Sequence, residues 1–356
     1  MRAAGHVRIL AVGDPFMPVS AFTSALAAVG DAVSVTALQI EDATNPPPRT
    51  ASEELISEYA GDPAVIAAAV AGHDMLVVHG APVTAEVLDA APLRLVCCAR
   101  GGPVNIDINA ATARGIPVTN SPGKNAEAVA ELTLTFALML IRGVPSAARF
   151  LLAGGRHADS AFEGGQFIGG EAVSMTLGLV GLGYVGRAVA VRARALGFTV
   201  IAHDPVPPRI VPAGVTIVGF DELLARSEIV SVHARASAGN RHLLSTAAFA
   251  RMPRGSYFIN TARESLVDED ALLDALSSGA LAGAALDVVE RRADGSRHPL
   301  LDLPNVIITP HIAGATRETL RRGAEMLVVA IAQVLAGEEP DYLLNPEYQV
   351  RKAAVS

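Results

Sequence analysis

Tryptophan is absent from this chain of 356 residues, cysteine occurs only twice, and the lysines and arginines are dispersed along the sequence. A nucleic-acid surface needs a concentrated basic face, so dispersed cations and a net charge of −8 argue against such a partner. The two cysteines, Cys97 and Cys98, are neighbours inside the apolar run LRLVCCA. Adjacent cysteines in such a run are typical of buried thiols, which indicates a protein of the reducing cytoplasm.

Long hydrophobic runs are also missing. The start of the chain, MRAAGHVRILAVGD, has too short an apolar stretch for a signal peptide and no small-residue cleavage site. The most apolar helical segment, NAEAVAELTLTFALMLIRG, carries Glu127 and Glu131 and is shorter than a bilayer requires. We therefore expect a core helix at this place and no membrane partner.

The residues that are present indicate the α/β fold class. Hydrophobic residues make up 51% of the chain, and the excess of alanine, valine and leucine is typical of parallel strands buried under helices. Short apolar segments alternate with helical patterns in two series, which predicts two doubly wound parallel-sheet domains joined by right-handed crossovers. The candidate strands are Val7–Val12, Val33–Leu38, Met75–His79, Leu93–Cys98 and Pro117–Thr119, then Thr176–Val180, Thr199–His203, Ile229–His233, Ser256–Asn260, Leu281–Asp287 and Val306–Thr309.

A glycine-rich motif in the second series indicates a cofactor. The segment TLGLVGLGYVGRAVAVRARALGFTVIAHD contains G-x-G-x-x-G after a strand and before a helix, and its second strand ends at an aspartate. The glycines permit a tight turn and close approach of a pyrophosphate, and the helix N-terminus attracts phosphate charge. The terminal aspartate would bind the ribose hydroxyls of NAD and repel the 2′-phosphate of NADP. The alternative is a structural turn without a nucleotide. The candidate residues are Gly181, Gly183, Tyr184, Val185, Gly186 and Asp204.

A histidine stands directly after the last candidate strand, in NVIITPHIAGAT. The strand ends at Thr309-Pro310, because proline cannot donate to a sheet ladder, and His311 follows at once. Gly314 fits a tight loop that leads into the next helix. The carboxyl end of a strand is the usual position for binding and catalytic groups. His311 is thus either a functional group or a hydrogen-bonded structural histidine.

An arginine occupies a comparable position after another strand. In GSYFINTARESLVDEDALLDAL, Arg263 follows the strand that ends at Asn260, where it could bind a carboxylate through two parallel hydrogen bonds. The alternative is a surface arginine paired with Glu264 or Asp268. Together with Asp287, Arg263 and His311 come from three successive strand ends. Hydride transfer to a 2-oxo acid requires both a carboxylate clamp and a proton donor.

With these motifs the chain resembles the D-isomer-specific 2-hydroxyacid dehydrogenase family, the relatives of D-3-phosphoglycerate dehydrogenase. The resemblance covers nearly the whole chain. It includes RGGPVNIDINAATARGIPVTNSPGKNAEAVAELTL, the glycine motif, NTARESLVDEDAL, LAGAALDVVE and HPLLDLPNVIITPHIAGAT. Several motifs in the right order are more specific than any one of them. The resemblance implies an NAD-dependent oxidoreductase that transfers a hydride between NAD(H) and a D-2-hydroxy or 2-oxo acid.

The resemblance also implies roles for individual residues. Arg263 would hold and polarise the 2-oxo acid, His311 would be the acid/base, and Asp287 would contact the nicotinamide amide. The substrate carboxylate would meet backbone N–H groups of the loop Arg100–Gly102. The further residues implied for cofactor binding are His233, Thr261, Ala262, Asp287 and Gly314, and those implied for substrate binding are Arg100, Gly101, Gly102 and Arg263.

The same resemblance implies a discontinuous domain order. Residues 1–121 and 312–356 would form a flavodoxin-like substrate-binding domain, and residues 122–311 would form the NAD-binding Rossmann domain. The active site would be a cleft between the two, closed by hinge motion. The resemblance also implies a homodimer formed through the cofactor domain, and it implies that no metal ion is bound.

Three departures from the family pattern concern the expected active site. Glu264 follows the arginine where the family usually has glycine, and Arg100 adds a cation where a glycine is usual. The family holds its histidine with a glutamate five residues after the aspartate of LDV, and here that position is Arg292. A carboxylate there favours the imidazolium ion, whereas a cation disfavours it. Glu290 is the remaining acidic candidate for a catalytic partner of His311.

These departures leave alternatives open. Arg100 indicates an anionic, phosphorylated or sugar-derived acid as substrate. The loss of the glutamate favours a different class, a catalytically impaired NAD-sensing protein that binds partners, as the related C-terminal-binding co-repressors do. The natural substrate is not apparent from the sequence.

Overall fold

A computed structural model of the chain describes residues 6–42, 46–155, 163–206, 209–292 and 295–349. The chain forms two compact units. Unit 1 consists of Met1–Lys124 and Thr316–Ser356, and unit 2 consists of Asn125–Ala315. The boundaries expected from the sequence, 121–122 and 311–312, lie a few residues before those of the structure.

Unit 1 is built on a five-stranded parallel sheet with strand order β2-β1-β3-β4-β5. Its strands are β1 Val7–Gly13, β2 Val33–Gln39, β3 Met75–Val78, β4 Leu95–Cys98 and β5 Val118–Thr119. Its helices are α1 Val19–Leu26, α2 Ala51–Glu54, α3 Pro63–Val70, α4 Ala85–Asp89, α5 Ile108–Ala113 and, from the end of the chain, α12 Arg317–Leu335.

Unit 2 is built on a seven-stranded parallel sheet with strand order β12-β11-β10-β9-β6-β7-β8. Its strands are β6 Thr176–Val180, β7 Thr199–His203, β8 Val215–Ile217, β9 Ile229–Val232, β10 Ser256–Asn260, β11 Leu281–Leu286 and β12 Val306–Ile308. Its helices are α6 Ala126–Ile141, α7 Val144–Leu152, α8 Tyr184–Ala195, α9 Phe220–Arg226, α10 Thr246–Phe249 and α11 Glu269–Ser277.

Successive side chains along a strand point to opposite faces of the sheet, so each strand contributes to two hydrophobic cores. In unit 1, Leu10 and Leu76 belong to the core on one face of the sheet, whereas Ile9 and Met75 belong to the core on the other face. Both faces are buried because helices cover them, as is usual for parallel sheets. The carboxyl ends of the strands therefore remain as the places where side chains can meet a ligand.

The predicted α/β class with two parallel-sheet domains is confirmed. The strand β8 was not predicted from the sequence; it is a three-residue edge strand with two exposed residues. An edge strand of this kind carries no buried apolar run, so the pattern that identified the other strands is missing from it.

Among the described residues, no single helix is both long and apolar enough to cross a membrane. Only the pair α6 and α7, which is bent by 67°, meets the length and composition criteria when taken together.

Candidate active site

The turn between β6 and α8 has the backbone that a nucleotide-binding loop requires. Gly181 has a φ angle of 100°, which L side chains rarely adopt, and a Cβ there would lie 2.7 Å from the Ala234 nitrogen. A Cβ at Gly186 would lie 2.2 Å from the Gly181 carbonyl oxygen, so glycine allows α8 to pack against the turn. Gly183 faces open space. Its backbone is therefore accessible to a bound phosphate.

The first turn of α8 supplies donors at the same place. Tyr184 and Val185 begin the helix, and N–H groups at a helix start have no acceptor within the helix. They carry partial positive charge and can bind an anion. Arg187 lies over the Tyr184 ring, 5.2 Å from its centroid, and donates to the Leu182 carbonyl at 3.2 Å. The local charge is thus favourable for a pyrophosphate.

Asp204 directly follows β7 and is fixed beside the glycine turn. Its Oδ2 accepts the Leu182 N–H at 2.9 Å, and its Oδ1 accepts the Val206 N–H at 3.0 Å. The side chain is partly exposed. Each carboxylate oxygen has two lone pairs, so acceptors remain for two ribose hydroxyls. The residues of this turn therefore fit the adenosine half of NAD.

His233 follows β9 and lies against the glycine turn. Its backbone N–H donates to the Val180 carbonyl at 2.7 Å, and the Nε2 atom of its ring lies 3.0 Å from the Ser231 hydroxyl. Burial lowers the pKa of His233 to about 3, which makes the ring neutral at ordinary pH. Nδ1 is buried and has no hydrogen-bonding partner within the part of the chain that the structure describes. This atom can interact with a polar group of a bound cofactor.

Two further residues expected at the cofactor contact the start of unit 2. The Thr261 hydroxyl lies 3.1 Å from that of Thr133 on α6. At Gly314, a Cβ would lie 2.9 Å from the Asn125 Nδ2 atom, directly before α6. The structure thus brings the segments after β10 and β12 to the N-terminal half of α6.

Arg263 is held by its own backbone turn rather than by an acid. Asn260, which ends β10, accepts the Ala262 N–H at 2.9 Å and donates to the Arg263 carbonyl at 2.9 Å. One guanidinium nitrogen, Nη1, donates to the Ala262 carbonyl at 2.8 Å. Among the described residues, Arg263 forms no ion pair with Glu264 or Asp268, and the Asp268 side chain caps α11 instead. The remaining donors of the guanidinium are available for a substrate carboxylate.

His311 is presented by a loop that Asp287 organises. The buried Asp287 carboxylate accepts the Thr309 hydroxyl at 2.5 Å and the N–H groups of Ile312 and Ala313 at 2.8 Å each. The His311 N–H donates to the Asp287 carbonyl at 3.0 Å, and His311 has a φ angle of 57°, in the left-handed region. The exposed ring has no hydrogen-bonding partner among the residues described, so it is free to meet a ligand. Both carboxylate oxygens of Asp287, expected at the nicotinamide amide, are used by this loop.

The structure does not bring Glu290 to His311. The Glu290 carboxylate lies 3.4 Å from Arg241, and both side chains are about half exposed. Arg292 lines a surface cavity together with Glu269 and His298, which are paired at 2.6 Å. The suggestion that Glu290 replaces the missing glutamate as a catalytic partner therefore finds no support, because its charge is already engaged on the surface.

The expected substrate loop of unit 1 offers free backbone donors. Within the described chain, the N–H groups of Gly101 and Gly102 have no hydrogen-bonding partner, and both residues are exposed. Arg100 is not a free cation, since its guanidinium donates to the Glu58 carbonyl at 2.7 Å and pairs with the Glu58 carboxylate. The loop itself is fixed by Asn120, which donates to the Gly101 carbonyl at 2.8 Å.

A polar cluster in unit 1 was not predicted from the sequence; it is formed by Asp14, His79 and Lys124. Asp14 and His79 directly follow β1 and β3, and their side chains are joined at 2.9 Å. Lys124 is buried. The strand-end position of Asp14 and His79 is a sequence signal that could have identified them. Lys124 lies in the segment NSPGKNAEAV, for which the resemblance implied no role of the lysine. Across the described residues, no group of three or more histidine, cysteine or acidic side chains could hold a metal ion.

Comparison with known proteins agrees with this geometry. Residues 134–313 match the family model described as D-isomer specific 2-hydroxyacid dehydrogenase, NAD binding domain. The chain is 42% identical to D-3-phosphoglycerate dehydrogenase of Archaeoglobus fulgidus over 66% of its own length and 44% of that protein. It is 37% identical to glyoxylate reductase of Korarchaeum cryptofilum over 75% of its length and 80% of that protein. It thus spans less than half of the first relative.

A solved structure shares the fold across almost the whole chain. The structure of D-2-hydroxyisocaproate dehydrogenase superposes with a TM-score of 0.79 at 26% identity and covers 95% of this chain and 100% of that one. The two parallel sheets described above are therefore an arrangement found in this kind of enzyme.

Proposed function

This chain belongs to the D-isomer-specific 2-hydroxyacid dehydrogenase family, and we propose that it interconverts a D-2-hydroxy acid and its 2-oxo acid with NAD as the cofactor. One observation carries the proposal beyond family membership. Arg263 and His311 follow β10 and β12, which are separated in the sheet by β11 alone. At the usual strand spacing the two strands lie roughly 10 Å apart, a distance that a small acid and two side chains can span.

The proposed chemistry assigns a different task to each of the two side chains. Arg263 binds the 2-oxo acid through its planar guanidinium and polarises the carbonyl, which prepares the carbon for attack. NADH held at the glycine turn and Asp204 would supply the hydride for that carbon. His311 donates a proton to the carbonyl oxygen as negative charge develops there, and the product is the 2-hydroxy acid. In the reverse direction His311 accepts the proton.

The residues around the glycine turn would hold the cofactor. Gly183 and the first turn of α8 support a pyrophosphate site, and the fixed carboxylate of Asp204 supports a ribose site that disfavours a 2′-phosphate. In this proposal Asp287 mainly fixes the loop that carries His311. The contact with the nicotinamide amide, which the resemblance implies, is a second role. Arg263 and His311 are the catalytic residues of this proposal, and Glu290 has no part in it.

Unit 1 is proposed as the substrate-binding domain. The unpartnered N–H groups of Gly101 and Gly102 support it, because two adjacent donors suit a carboxylate. The natural substrate would be a small 2-oxo acid, and the cation Arg100 favours one that is anionic beyond its reacting end.

A homodimer and a cytoplasmic location complete the proposal. Apolar side chains on α7 of unit 2 are exposed, and one of them, Leu152, has a relative exposure of 87%. Exposed apolar surface of this kind favours burial against a second copy of the chain. Cys97 and Cys98 are buried free thiols, as expected in a reducing compartment.

The experiment that tests the function is NADH oxidation with a panel of 2-oxo acids, including glyoxylate, hydroxypyruvate and phosphorylated sugar acids. Turnover with one or more of them is expected. Tight NADH binding without turnover of any acid would instead support the alternative, an NAD-sensing binding protein. The specific observation that favours the alternative is that the usual glutamate is Arg292 and that the described residues provide His311 with no acidic partner.

A further inference from the structure

A second group of charged side chains lies at the carboxyl edge of the unit 1 sheet. The strand order β2-β1-β3-β4-β5 reverses between β1 and β3, and doubly wound sheets bind ligands outside the strand ends at such a reversal. Asp14 follows β1, His79 follows β3, and Arg100 comes shortly after β4. The position is therefore one where a ligand site is expected, and neither Asp14 nor His79 takes part in the chemistry proposed above.

Lys124 is a buried cation without a partner at this place. Its relative exposure is 5%, and its Nζ is a buried atom with no hydrogen bond within the described residues. The Cys98 thiol does not neutralise it, because burial raises the pKa of that thiol to about 11. The Asp14 carboxylate is already engaged by N–H donors of Phe16, Met17, Gly80 and the His79 ring. Burying an ammonium ion without a partner is costly, so an anion that reaches Lys124 would be bound favourably.

The surrounding structure makes room for this side chain. A Cβ at Gly323 of α12 would lie 2.9 Å from the Lys124 Cδ atom, so a side chain at this position would displace the lysine from its observed place. Arg322 donates to the Lys124 carbonyl, and the Ser121 hydroxyl donates to the Gly323 carbonyl at 3.1 Å. These two hydrogen bonds join the segment of Ser121 and Lys124 to α12, so the lysine has a fixed position.

Arg100 adds a second positive charge to the same region. A Cβ at Gly323 would lie 3.5 Å from the Lys124 Nζ atom and 3.7 Å from the Ala99 carbonyl oxygen, so the ammonium lies beside the residue that precedes Arg100. Burial lowers the pKa of His79, and the positive charges of Lys124 and Arg100 act in the same direction, whereas Asp14 raises it. Glu58 currently pairs with Arg100, and its side chain is 51% exposed whereas that of Arg100 is 17% exposed. An incoming anion can therefore replace Glu58 without unfolding the core.

We propose that Lys124 and Arg100 bind a second anionic group of the substrate, so that the substrate is a 2-oxo or 2-hydroxy acid with an additional carboxylate or phosphate. The inference rests on the proposed function. The free N–H groups of Gly101 and Gly102 already offer two donors to the carboxylate next to the reacting carbonyl. A substrate with a single carboxylate therefore does not need Lys124 and Arg100 as well. On binding, the second anion takes the place of the Glu58 carboxylate and becomes the hydrogen-bonding partner of Lys124.

The kinetic test compares acids that differ by one anionic group. Oxaloacetate is compared with 2-oxobutyrate, and phosphohydroxypyruvate with hydroxypyruvate, so that the two pairs separate carboxylate from phosphate. We expect wild-type kcat/KM to favour one dianionic acid. In Lys124→Met this preference should fall by roughly ten- to a hundredfold, as for a lost hydrogen bond to a charged group. In Glu58→Gln it should rise, because the competing carboxylate is gone.

Arg114→Met is the matched control. Arg114 is a unit 1 cation that pairs with Asp89 on α4, so its loss changes the net charge by the same amount as the loss of Lys124. The preference ratio should be the same as in wild type. A fall equal to that of Lys124→Met would mean that overall charge, and not a site, sets the preference, and it would overturn the inference.

Direct binding gives a readout that needs no turnover. The chain has only two lysines, Lys124 and Lys352. In protein labelled with ¹⁵N-lysine, NMR therefore detects two ε-ammonium signals, and the signal that is lost in Lys124→Met belongs to Lys124. Malonate and inorganic phosphate serve as probes, with chloride at equal ionic strength as the control. We expect one probe to shift the Lys124 signal in wild type, and at lower concentration in Glu58→Gln.

The outcomes separate this inference from the proposed function. Turnover that favours the monoanionic acids, with a Lys124 signal that neither probe moves, overturns the inference and leaves the dehydrogenase proposal standing. A shifted Lys124 signal in a protein that reduces none of the acids keeps the anion site and contradicts the proposed function. If Lys124→Met does not fold, the Glu58→Gln kinetics and the wild-type titration still decide.

Discussion

The carbonyl oxygen of Asp287 accepts the backbone N–H of His311 at 3.0 Å, and the Asp287 carboxylate binds the chain on both sides of that histidine. This single buried residue at the end of β11 thus fixes the loop after β12. His311 is held at a positive φ, which costs energy for a residue with a side chain and persists only where the surroundings enforce it. The loop is therefore prearranged for the proton transfer proposed for His311.

Replacing Asp287 by asparagine should destabilise unit 2. An amide supplies one acceptor oxygen and places an NH₂ group against donors, so at least one of the N–H groups of Ile312 and Ala313 loses its partner. We expect a loss of about 2–4 kcal/mol in the free energy of unfolding. Denaturant unfolding of Asp287→Asn and wild type checks this. The control is His311→Gln, whose exposed side chain should cost little stability but most of the activity; an equally stable Asp287→Asn would contradict the account.

Asp204→Ala should weaken NADH binding. The carboxylate is the expected acceptor for the ribose hydroxyls, and losing hydrogen bonds to a charged group costs roughly 1–3 kcal/mol. Dissociation constants of both reduced cofactors, measured by fluorescence titration, provide the test. NADPH should bind wild type more weakly than NADH and should lose less in the variant. Tighter binding of NADPH by wild type would end the assignment of Asp204.

Arg263→Lys should reduce kcat/KM strongly although the charge is retained. Lysine is a point donor and cannot form two parallel hydrogen bonds with a carboxylate, so we expect a loss of about ten- to a hundredfold. The dissociation constant of NADH should change much less. If cofactor binding falls as far as turnover does, Arg263 supports the cofactor pocket or the fold instead of the substrate.

Lys124→Met should stabilise the folded chain at neutral pH. Burial lowers the pKa of Lys124 from 10.5 to about 8. The unfolded chain thus keeps the proton up to a higher pH than the folded chain, and the penalty of burying the charge is complete below pH 8 and disappears as the pH rises towards 10.5. The expected gain at pH 7 is about 3 kcal/mol, from the size of the shift. Urea unfolding at pH 7 and at pH 10.5 tests it; a variant that is less stable than wild type at pH 7 would contradict a buried, unpaired charge.

Much of the fold could be predicted from the sequence because its strands are buried. The runs that form β6, β7 and β10 have the bounds expected from the sequence, since apolar residues and turn signals mark both ends. The strand β8 lies at the edge of the sheet and pairs only with β7. Two of its three residues are exposed, so it lacks the buried apolar run that marks the other strands.

Candidate site residues could be proposed from the sequence where they belong to a motif or a strand end, as Gly181, Arg263 and His311 do. Their roles stay predictions. Long-range pairing was not predictable: Glu290 lies near Asp287 in sequence, but its charge is paired with Arg241, which is distant in sequence. Lys124 was also missed, because its significance comes from burial without a partner, and one sequence does not show burial of a single polar side chain.

The most direct test of the central claim is the identity of the product that wild type forms from NADH and a 2-oxo acid, determined by chiral chromatography. The account predicts the D-2-hydroxy acid in an amount equal to the NADH consumed, with formation reduced by orders of magnitude in His311→Gln. The L-enantiomer, or undiminished formation of product by His311→Gln, would contradict it.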